Sequence, residues 1–183
     1  VKNLHRIRPR RVAGLVAALT AVVATAGCAG AAPDVAAYVG PSTISDSRLQ
    51  EVTAAADAIF STQGARARKD GLLSVLVLGE ITEQLAEQRG IRISDGERNA
   101  LISNSPLGPL VGDARTRELA YDYADAELVR MRVGDQTFVQ TLMEAQVRLN
   151  PRYGTWQPEA YAQGASMVGA GSESLSVPIA TQS

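Results

Sequence analysis

The sequence predicts a mainly α domain of about five helices whose ends are joined by a small two-stranded β pairing. Three observations carry that prediction. Apolar residues recur at helical spacing through most of residues 46–146. Helix-start residues and glycine stops punctuate the same region, at Ser45, Ser94 and Asp113 and at Gly90 and Gly134. Short apolar stretches at 35–39 and 147–149 flank the helical run and read as strands.

The elements follow in order. Val35–Val39 is a brief strand ending at the Gly40-Pro41 turn signal. Ser45 precedes a helix over Asp46–Phe60, where Leu49, Val52, Ala56, Ile59 and Phe60 share a face, and residues 61–64 close it. Ala65–Arg89 is the clearest element. Leu72, Leu73, Val75, Leu76, Val77, Leu78, Ile81 and Leu85 cover most of its circumference, the pattern of a buried helix, and Gly90 stops it. Ser94 and Glu97 form a capping box that opens a short helix to about Ser103. Pro106, Gly108, Pro109 and Gly112 make 105–112 an irregular loop. Asp113 caps a long helix to about Val133, and a fifth helix over Gln136–Gln146 presents Phe138, Val139, Leu142 and Met143. Val147-Arg148-Leu149 alternates as a strand and is expected to pair with Val35–Val39. The domain is thus expected over 35–156. Residues 157–183, rich in Gly, Ala, Ser and Gln, are expected to be a disordered tail.

Charge is divided unevenly. The chain of 183 residues has a formal net charge of −1, yet residues 1–27 carry Lys2, Arg6, Arg8, Arg10 and Arg11 and no acid. The remainder holds 13 bases against 19 acids. An acidic body argues against a nucleic-acid partner, which requires a dense basic face.

The basic leader runs into the uncharged stretch Val12–Ala26 and then Gly27-Cys28, the arrangement of a secretory signal peptide over 1–27. Cys28, the only cysteine, stands where cleavage falls, behind Thr25-Ala26-Gly27. This segment resembles the lipobox of bacterial lipoproteins, with Thr25 where an aliphatic residue is usual. The resemblance implies a diacylglyceryl group on the Cys28 thiol and further acylation at the new N-terminus. Two or more chains make a stable anchor where one does not. Residues 28–34 are then a lipidated N-terminus and spacer, and the expected location is the outer face of the cytoplasmic membrane. The Arg10-Arg11 pair leaves the general and twin-arginine export routes both open.

Outside the leader the chain has no histidine, since the one histidine is His5, and no second cysteine. Ser-His-Asp and Cys-His catalysis and the usual zinc sites are therefore not expected, nor is any cofactor or small-molecule substrate. Asp122, Asp125 and Glu127 form a D-x-x-D-x-E cluster, but on a helix the third points away from the first two. A solvated acidic face is the expected reading, as for Glu80, Glu83 and Glu87. The candidate contact residues are apolar: Leu107, Leu110, Tyr121, Met131 and Phe138, suited to adaptable peptide binding if they are exposed.

The order of a short strand, a helix and a long buried helix, then Gln88-Arg89-Gly90-Ile91-Arg92-Ile93-Ser94-Asp95-Gly96-Glu97, resembles the N-terminal domain of SurA-type chaperones. The matching stretch runs from about Val35 to Trp156, and its best motif from Leu72 to Glu97. One departure is Gly40-Pro41-Ser42-Thr43, where the family usually has Asn-Gly or Asp-Gly. Another is that the 27 residues after Trp156 are too few for a parvulin prolyl isomerase domain. The resemblance implies the chaperone half of such proteins: a non-enzymatic, membrane-anchored lipoprotein that binds unfolded or incompletely folded exported polypeptides. The alternative is an envelope lipoprotein that recruits one specific folded partner.

Overall fold

The computed structural model describes residues 32–103 and 105–169. β1 (Val35–Val39) folds back as a hairpin onto β2 (Ser42–Ser45). Gly40 makes the reversal at φ +54°, a conformation open to a residue without Cβ. β3 (Val147–Leu149) pairs antiparallel with the other edge of β1, setting Ala37 opposite Leu149 and Val39 opposite Val147. The expected pairing of the two ends is present, within a three-stranded sheet of order β2-β1-β3. β2 escapes the strand pattern because Ser-Thr-Ile-Ser offers one apolar side chain, Ile44, to the core.

Ser45 ends β2 and also caps α1 (Asp46–Ser61), its Oγ accepting the Arg48 N–H at 3.1 Å. α2 (Lys69–Arg89) begins after Arg68, which is still extended, and so starts later than the apolar pattern suggested. Its buried residues surround it as expected, with Leu73 and Val77 fully enclosed, and Gly90 stops it in the left-handed region at φ +63°. α3 (Asp95–Ile102) opens with the expected capping box in full. Ser94 Oγ accepts the Glu97 N–H, and Glu97 Oε2 accepts the Ser94 N–H at 2.9 Å. The 105–112 loop holds a 3₁₀ turn at Gly108–Gly112. Asp113 caps α4 (Ala114–Val133), and α5 (Asp135–Glu144) follows the break at Gly134.

α2 packs against α1, α4 and α5, so the most apolar helix is also the central one. The core is aliphatic apart from Phe138, with Leu49, Val52, Leu119, Val129 and Leu142 among its fully buried members.

The expected disorder of 157–183 is corrected over its first part. β4 (Thr155–Trp156) pairs with β5 (Val168–Gly169), and a 3₁₀ turn at Pro158–Gln163 joins them. Met167 and Val168 are buried against the body, and the Met167 N–H donates to Ser74 Oγ on α2 at 2.9 Å. Two large apolar side chains and a buried hydrogen bond outweigh the small-residue composition around them. The leader 1–27, Cys28 and residues 170–183 lie outside the described residues.

Candidate functional site

A groove of about 1020 Å³ lies between α2 and α4, bounded by β2, the start of α1, the 90–93 turn and α3. Its position follows from one glycine. At Gly79, in the middle of α2, an added Cβ would lie 2.6 Å from Asp122 Cγ and 2.8 Å from Asp122 Cβ. The two helices therefore approach closely at this level because residue 79 has no side chain, and Asp122 is laid across the α2 backbone.

Glu118, Asp122, Asp125 and Val129 recur on one face of α4 and all line the groove. Two arginines from other helices hold the outer two carboxylates. Arg48 of α1 donates through Nη2 to Glu118 Oε2 at 2.7 Å and through Nη1 to the Arg115 carbonyl at 3.0 Å. Arg98 of α3 grips Asp125 with two parallel bonds, Nε to Oδ1 at 2.7 Å and Nη2 to Oδ2 at 2.9 Å. Between these clamps the half-buried carboxyl of Asp122 has no hydrogen-bond or ion-pair partner among the described residues. Burial, reinforced by Asp125, Glu118 and Glu80 and opposed by Arg48, pushes it up to about 7.

The opposite wall belongs to α2: Leu76 and Ala86 are apolar, while Glu80, Glu83 and Glu87 are acids without an ion pair among the described residues. Ile44, Ile91 and Ile93 extend the apolar surface at the margins. Thr82 also lines the groove, and its hydroxyl is buried with no hydrogen-bond partner among the described residues. The arrangement supplies apolar contact, a line of acids and two unsatisfied polar groups. Among the described residues no group of three or more His, Cys, Asp or Glu is placed to hold a metal ion.

The five apolar candidates do not converge. Leu110 and Phe138 are fully buried and belong to the core, Phe138 packing on Tyr161 with ring centroids 5.6 Å apart. Leu107 is packed half-buried against that core. Met131 stands exposed on α4, and Tyr121 alone of the five lines the groove, with the Arg98 guanidinium over its ring at 5.7 Å. Leu110 and Phe138 are thereby corrected as contact residues: their apolar character serves packing. The solvated reading of the acidic cluster is corrected as well. Asp125 is paired with Arg98, and Glu127 accepts from Arg130 Nη2 at 2.7 Å and from the Tyr161 hydroxyl at 3.2 Å. The expected divergence of the third acid holds, since Asp122 and Asp125 face the groove and Glu127 does not line it. The sequence pattern offers no sign of the groove beyond Gly79, one of two glycines inside α2.

A scan against protein-family models, a search of curated proteins and a search of solved structures each returned no match to this chain. Fold and site together define a mainly helical domain with small antiparallel sheets and an acid-walled groove. No helix among the described residues is long and apolar enough to cross a membrane.

Proposed function

We propose that this chain is a membrane-anchored extracytoplasmic lipoprotein whose helical domain, of the SurA N-terminal kind, binds unfolded or incompletely folded exported polypeptides without catalysing a reaction. The observation that carries the reading is the groove: about 1020 Å³, open to solvent, with apolar side chains beside polar groups that lack partners. Such a surface suits an extended chain, which brings both apolar side chains and backbone donors and acceptors. The leader pattern and Cys28 supply the anchor in this reading, and the SurA-like order of elements supplies the chaperone class.

The test is aggregation of reduced, unfolding lysozyme, followed by light scattering, with the full chain added in mild detergent. Suppression that increases with the chain-to-lysozyme ratio is expected. No suppression at several-fold molar excess, together with one dominant folded partner in crosslinked cells, would replace this reading with recruitment of a specific protein. In the same cells Cys28→Ala is expected to release the protein from washed membranes, and persistence there would remove the lipid from the account.

A further inference from the structure

The groove is unbalanced in charge. Arg48 is committed to Glu118 and Arg98 to Asp125, which leaves Asp122 with Glu80, Glu83 and Glu87 facing one basic side chain, Arg92. Asp122 lies against the α2 backbone at Gly79, where the two helices approach closely, and is flanked by the two clamps. Glu118 and Asp125 face it from its own helix, Glu80 from α2, Arg48 from α1 and Arg98 from α3. An ionised carboxylate in such a setting is costly, and a cation arriving beside it removes the cost. Independently, the buried hydroxyl of Thr82 is a polar group in the same groove with no partner among the described residues.

We propose that the groove, on the polypeptide-binding reading above, selects extended segments carrying a lysine or arginine and seats the cationic head between Asp122 and Glu80. Charge complementarity identifies the occupant: an acidic groove with apolar margins fits a segment that is both cationic and apolar. The absence of a metal-binding cluster among the described residues separates this from an inorganic cation site. Arg48 and Arg98 are positioning residues here, holding Glu118 and Asp125 so that Asp122 remains the open carboxylate.

Three fluorescent dodecapeptides of alternating leucine and serine, with lysine, norleucine or glutamate at one central position, test this by anisotropy against the full chain in mild detergent. The lysine peptide is expected to bind about tenfold tighter than the norleucine peptide, and the glutamate peptide weakest. Asp122→Asn is expected to erase most of the lysine preference, giving about tenfold coupling in the cycle between residue 122 and the peptide position. Equal binding of all three peptides would overturn the cationic selectivity and leave the polypeptide reading standing. Binding of none would overturn both. Spermidine competing as tightly as the lysine peptide would overturn the polypeptide occupant, because a free polyamine would then suffice.

Discussion

Two half-buried aspartates on different helices show what separates two regions of this molecule. Asp46, at the start of α1, accepts from the Tyr153 hydroxyl, from Arg152 at 2.7 Å and from Gln50 Nε2 at 2.5 Å. Those bonds, led by that of Tyr153, hold its carboxyl below the usual range. Asp122, in the groove, has no such partners and is pushed up to about 7. The same side chain therefore supports the fold in one setting and burdens it in the other. The sheet region is a closure in which charges and lone pairs are spent on structure. The groove keeps polar capacity unspent, which is what a binding surface requires.

The closure gives the largest expected effect. Asn150 is buried and ties the chain ends across 115 residues, its Nδ2 donating to the Val35 carbonyl at 2.9 Å. Its backbone N–H donates to the Ala36 carbonyl at 2.8 Å, and its Oδ1 accepts the Arg152 N–H at 3.3 Å. Asn150→Ala leaves the backbone bond and removes the buried side-chain bond to the Val35 carbonyl, with an expected loss of about 2–3 kcal/mol in urea unfolding. Peptide binding in the groove should be unaffected under conditions where the variant is folded. A loss below about 0.5 kcal/mol would show that the closure is not where stability is concentrated.

How far the sequence predicted each region follows from the range over which its causes act. The Ser94–Glu97 capping box, the Ser45 cap and the Gly90 stop depend on neighbours within one turn, and all stand where the residues indicated. The β1–β3 pairing was legible because two apolar stretches flanked the helices. The 157–169 segment was not: its order depends on Ser74 and on core space far along the chain, which composition does not report. The groove was least legible. α4 carries charge on several faces, and its acids acquire meaning only when Arg48, from 70 residues away, and Arg98, from 27, claim two of them and leave the third. Periodicity placed Asp122 beside Asp125 correctly and could not say that Gly79 would lie beneath it.

The smaller effect is the more discriminating, because the two aspartates must respond to pH with opposite sign. For Asp46 the folded carboxyl is more acidic than the unfolded one, so its contribution is present above the ordinary value of 3.8 and lost as pH falls through its lowered pKa. For Asp122 the folded carboxyl titrates near 7 against 3.8 unfolded, so the native state holds a proton that the unfolded state releases between those values. Stability conferred by the neutral carboxyl is thus complete below about 3.8 and is lost as pH rises toward 7. Asp122→Asn, which cannot ionise, should exceed the parent by about 1–2 kcal/mol at pH 8, a value reduced from the full linkage by solvent in the groove. The advantage should vanish near pH 4. Asp46→Asn should do the reverse, weaker than its parent at neutral pH and converging with it in acid. Unfolding curves of the three proteins across that range decide the matter: a constant Asp122→Asn difference at every pH would mean that the groove carboxyl is not strained by its neighbours. The contrast between a closure built for stability and a groove held ready for a cation would then lose its basis.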